Sequence, residues 1–109
     1  MAIKITVSNR VKFNVEGTLK DEDGKDNAFK FGLLCNRITA EQHRERTKGD
    51  IDFVQFMVEE TSDWFDVKDA DNKPLEFSED NLRNLLNMPG LAALVYFTYM
   101  RETGAKQKN

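Results

Sequence analysis

Side chains able to do acid–base, nucleophilic or metal chemistry are few in this sequence, and their neighbours decide what each can do. His43 is the single histidine. It lies between Glu41-Gln42 and Arg44-Glu45, with no nucleophile and orienting acid spaced around it, so it reads as a solvated surface residue. Cys35 is the single cysteine. It follows Leu33-Leu34 in register with apolar neighbours, and Arg37 alone does not make the cationic, accessible setting a reactive thiolate needs. It is expected in the core.

Carboxylates raise the question of a cation. Asp69, Asp71 and Lys73 imitate the start of a calcium loop, but Lys73 replaces an oxygen ligand and Pro74 occupies the place of the required glycine. In the second candidate, Asp21, Asp23 and Gly24, the glycine comes too early. Both read as solvated turns, and Glu59/Glu60 as the wet side of a helix. No phosphate-binding glycine loop, HExxH, GxSxG or CxxC spacing is present. The expectation is a non-enzymatic chain without catalytic residues, metal or cofactor.

Charge and length narrow the partners. The 109 residues carry a net charge of −3, the wrong sign for a protein that must displace counterions from phosphates, so nucleic acid is not expected. One domain, residues 1–109, accounts for the length, with a short flexible tail from about residue 104. No apolar run approaches the roughly 20 residues that span a bilayer. Met1 to Arg10 lacks the apolar centre of a signal peptide, and an unpaired cysteine suits a reducing compartment, so the cytoplasm is expected.

The elements that must position these residues follow from periodicity. Val11, Phe13, Val15 and Leu19 alternate with polar residues, as do Phe29, Phe31, Leu33 and Cys35, and Gly24 in the acidic stretch between them supplies turn chemistry. This is a β-hairpin with its odd-numbered side chains toward the core, and Ile3, Ile5 and Val7 extend the first strand or form another. Thr39 and Gln42 form a capping box that opens a polar helix through about Thr47. Asp50 is the next expected N-cap. Beyond it Ile51, Val54, Met57, Val58, Thr61, Trp64 and Phe65 recur at helical spacing in one continuous stripe. An acidic connector, 66–77, precedes Ser78, which caps a third helix with Leu82, Leu85 and Leu86 inward. Met88-Pro89-Gly90 breaks the chain before a last helix from about Leu91 to Glu102, stopped at Gly104. The fold class is α+β: an N-terminal antiparallel hairpin packed against about four short helices.

Two helices carry more apolar surface than a one-sided helix needs. Phe53 and Phe56 lie about 100° from the Val54/Met57/Val58 stripe. The segment 91–100 is apolar nearly all round: Leu91, Leu94, Val95 and Thr98 form an inward stripe, leaving Tyr96, Phe97, Tyr99 and Met100 to point elsewhere. A helix apolar on every side is either central to its core or half of an interface, and both readings stay open. As an interface, Phe53, Phe56, Tyr96, Phe97, Tyr99 and Met100 are the candidate contacts, with a partner or between copies, since interfaces favour Tyr, Phe and Met.

The order of the segments Phe31-Gly32-Leu33-Leu34-Cys35-Asn36-Arg37-Ile38-Thr39, Gly49-Asp50-Ile51-Asp52-Phe53, Trp64-Phe65-Asp66-Val67-Lys68-Asp69, Lys73-Pro74-Leu75-Glu76-Phe77-Ser78-Glu79-Asp80-Asn81-Leu82 and Met88-Pro89-Gly90 resembles the tail assembly chaperones of long-tailed bacteriophages and prophages. The resemblance covers roughly 11–101, and no piece of it is a chemical motif. It implies a non-enzymatic α+β protein of the bacterial host cytoplasm that binds and solubilises the helix-rich tape measure protein. It also implies recruitment of tail tube subunits and absence from the mature virion. In many such phages a −1 frameshift adds a second domain, and this chain would correspond to the unshifted product. The alternatives are a structural tail-completion or connector protein, and a prophage-encoded adaptor for some other protein.

Overall fold

The computed structural model describes residues 2–3 and 9–107. Two long strands, β1 (Arg10–Lys20) and β2 (Asp26–Asn36), form the expected antiparallel hairpin, in register from Arg10 opposite Asn36 to Lys20 opposite Asp26. Gly24 turns the chain at φ +76°. The alternation is obeyed on the core face, where Phe13, Val15, Phe31, Leu33 and Cys35 are buried. The opposite face carries Lys12, Asn14, Glu16 and Lys30 in solvent. Ile3 is exposed outside any strand, and the expected strand residues Ile5 and Val7 lie outside the described residues.

Helix α1 (Ala40–Arg46) begins at Thr39, whose hydroxyl accepts the Gln42 backbone N–H while the Gln42 side chain accepts the Thr39 N–H. Helix α2 (Phe53–Glu60) is capped by Asp52, not by the expected Asp50; the Asp52 carboxylate accepts the Gln55 N–H at 3.0 Å.

The stripe expected to form one long helix divides at Glu60, and this is the main correction to the fold. Thr61–Phe65 is a third strand, β3, antiparallel to β2 and giving the sheet order β1-β2-β3. The register explains the misreading. Trp64 opposes Leu33 and Asp63 opposes Leu34, but Cys35 opposes Thr61, so Ser62 is the extra residue of a bulge. The bulge turns Thr61 and Trp64, three apart, to the same buried face, and that spacing is the one a helix produces.

The connector after β3 is a small replica of the main turn. Asp69 N–H donates to the Lys73 carbonyl at 2.8 Å, as Asp21 N–H does to Lys25 at 2.9 Å. Asn72 takes the left-handed conformation, φ +62°, that Gly24 takes in the hairpin. Trp64 ties the connector down by donating its indole N–H to the Leu75 carbonyl at 2.9 Å.

Ser78 caps α3 (Glu79–Leu86) through the Asn81 N–H, and Leu82 and Leu86 are buried with Leu85 partly so. Left-handed Gly90 precedes α4 (Leu91–Thr103), and Gly104 ends it. Helices α2 and α4 pack side by side, and α4 lies along β1. Tyr99 fastens α4 to the sheet: its hydroxyl donates to the Asn36 carbonyl at 2.7 Å, and its ring meets Phe13 edge-on. No helix among the described residues is long and apolar enough to cross a membrane.

Candidate protein-binding surface

The two helices singled out for surplus apolar surface turn out to face each other. Phe53 lies against Tyr96 with ring centroids 4.8 Å apart and against Phe97 at 5.8 Å. Phe56 meets Tyr96 at 5.3 Å and Tyr99 at 5.7 Å, both edge-on. Edge-to-face rings at these distances add to simple burial, so the cluster holds α2 to α4.

Within it the six candidate contacts separate. Phe56, Tyr96 and Tyr99 are buried, and burial pushes both tyrosine hydroxyls above the usual phenol range. Phe53 and Met100 are partly buried against the core. Phe97 is 58% exposed, the one aromatic among the large exposed apolar side chains of the described residues. The accessible surface is therefore a ridge with Phe97 at its crest and Phe53 and Met100 on its flanks, carried on a base of packed rings.

His43 corrects its expected role. Its Nε2 shares a 2.6 Å hydrogen bond with the Tyr96 hydroxyl, its ring stacks on Tyr96, and it meets Phe56 edge-on. His43 and Arg46 of α1, with its C-cap residue Thr47, form a half-buried face. A signal was present, since 43, 46 and 47 have the i, i+3, i+4 spacing of a buried stripe, but the polar residue types concealed it.

Arg46 lies over the Phe56 ring at 4.1 Å and binds two carboxylates, Glu59 at 2.7 Å and the buried Glu60. An open groove lined by Ile38, Glu41, Gln42, Glu45, Arg46 and Glu60 runs beside this cluster. The acid at its base is already paired, so the cluster ties α1 to α2.

The remaining polar candidates are also occupied within the fold. The Asp21 carboxylate accepts the N–H groups of Asp23 and Lys25 and the Asn27 amide; that amide, first, holds its pKa below the ordinary value. Asp69 likewise accepts from Asp71 and Lys73. Cys35 is fully buried, 3.5 Å from the Thr61 hydroxyl, and desolvation pushes its thiol up to about 12. Among the described residues no group of three or more His, Cys, Asp and Glu side chains is placed to hold a metal ion.

No known protein family matches the chain, and no curated protein or solved structure matches it.

Proposed function

We propose that this chain acts by binding another protein, without catalysis or cofactor, and that it is a tail assembly chaperone of a long-tailed phage or prophage. In this reading it works in the cytoplasm of the bacterial host, holds the tape measure protein in solution, and helps bring tail tube subunits to it. The observation that carries the reading is the Phe97 ridge, where a large aromatic side chain stands in solvent on a base of buried rings. An exposed aromatic anchor on a packed support contributes affinity at little ordering cost, which suits capture of an apolar helix face. The net charge of −3 favours keeping the resulting complex dispersed. The client itself comes from the order of segments along the sequence, which resembles that of the chaperone family.

Co-expression tests the reading. The tape measure protein of the same phage or prophage is expected in the soluble fraction with this chain and in the pellet without it. The chain is also expected to be missing from purified particles by mass spectrometry. A tape measure equally soluble alone, or this chain in stoichiometric amount in particles, would remove the chaperone reading and favour a structural tail component.

A further inference from the structure

Strand β1 is an edge of the sheet, with β2 as its one neighbour in the order β1-β2-β3. Among the described residues no backbone bond joins Val11–Lys20 to anything but β2. Helix α4 covers the inner face of the strand, where Leu94 reaches Gly17 and Tyr99 meets Phe13. The backbone groups along the outer edge are left to water, since buried ones must be paired.

Sheet edges are commonly kept from pairing by being short, bulged or interrupted by proline. The opposite edge, β3, follows that pattern, with 5 residues and the Ser62 bulge. β1 does not: it runs for 11 residues in unbroken register with β2 and contains no proline. Such an edge is a template for another strand, and the charges along it select the strand that fits.

Those charges are complementary to themselves. Lys12 and Glu16 are exposed and share the outer face of β1. A two-fold axis perpendicular to the sheet at Asn14 pairs β1 with β1 of a second copy, antiparallel, over residues 10–18. Lys12 of each copy then stands directly opposite Glu16 of the other, and Asn14 meets Asn14. On the inner face Phe13 opposes Val15, and Val11 opposes Gly17. Lys30 already flanks Glu16 from β2 at 3.7 Å, so charges alternate along the row Lys30, Glu16, Lys12 of the joined sheets. In the single chain the Lys12 ammonium rests over the Phe65 ring at 4.0 Å, a weak contact at an exposed site that a carboxylate directly opposite replaces. Other registers fit less well. Centring on Val15 sets Arg10 against Lys20, and centring on Glu16 or Lys12 sets that charge against itself. Centring on Phe13 shortens the ladder to residues 10–16. We infer that β1 is the interface of a homodimer in which two three-stranded sheets join edge to edge into one of six strands.

This pairing does not depend on the identity of the client, and its failure leaves the reading above standing. Sedimentation equilibrium of the full chain and of two charge-reversed variants is the test. The wild-type chain is expected to show a monomer–dimer equilibrium. Lys12→Glu and Glu16→Lys each set like charges opposite one another in both symmetry-related rows, and each is expected to raise the dissociation constant at least about tenfold. Mixed in equal amounts, the two variants are expected to regain wild-type association, because every row then opposes a carboxylate to an ammonium. Both positions are exposed, and unchanged Trp64 fluorescence certifies that each variant is folded. A monomer at every concentration, or a dimer indifferent to both reversals, overturns the proposal. So does a mixture that associates no better than its components.

Discussion

Gly17 of β1 lies against Phe29 of β2 and Leu94 of α4. A Cβ built there would lie 2.6 Å from Phe29 Cζ and 2.9 Å from Leu94 Cδ2, nearer than side-chain atoms pack. Gly17→Ala is expected to cost ~1–3 kcal/mol by overpacking, read as a fall in urea midpoint, and Leu94→Ala in the same chain should return part of it. At Tyr96 the ring fills the cluster while the hydroxyl holds His43. Tyr96→Phe keeps the first and removes the second, so chemical denaturation should show a loss of ~1 kcal/mol. Cys35 supplies a pH dependence. Its thiol stays neutral in the fold up to about 12 but ionises in the unfolded chain near its ordinary value of 9.0. Its stabilising contribution is therefore complete below pH 9 and is lost as pH rises from there toward 12. Cys35→Ala lowers overall stability but should make the fall between those values shallower in pH-dependent unfolding.

At the scale of elements, local sequence was legible wherever one period ruled one segment. The hairpin, the Thr39/Gln42 capping box and the Ser78 cap stand where alternation and cap chemistry place them. The failure at Thr61 has a definite cause: the Ser62 bulge gives a strand the three-residue spacing of a helix, and only pairing with β2 resolves it. Short-range patterning does not contain that partner. The same limit hid the docking of α1, whose half-buried residues are polar and are matched by groups on α2 and α4. Arg46→Met is expected to cost ~1–3 kcal/mol, because it leaves the buried Glu60 carboxylate without its cation, and thermal unfolding would measure it. Of the candidate surface, sequence identified the two over-apolar helices. It could not show that they would cover each other, which buries Phe56, Tyr96 and Tyr99 and leaves Phe97 at the crest.

For the whole molecule, one α+β unit presents a small aromatic ridge, with Phe97 of α4 exposed beside Phe53 of α2. The fold and the proposed function make different demands on neighbouring residues of α4. Tyr99→Asp places an unpaired charge in the core and is expected to unfold the chain, whereas Phe97→Asp, which loses only the ring contacts with Phe53 and Tyr96 at a largely exposed position, is expected to cost on the order of 1 kcal/mol and leave the chain folded. That contrast makes Phe97 the clean probe of the central claim, that the ridge holds another protein. The direct measurement is the affinity of the wild-type chain and of Phe97→Asp for the soluble complex partner recovered by co-expression, the tape measure protein or a helical fragment of it. The account predicts a loss of at least about tenfold in affinity, with Trp64 fluorescence unchanged. Equal affinity of the two folded chains would contradict it.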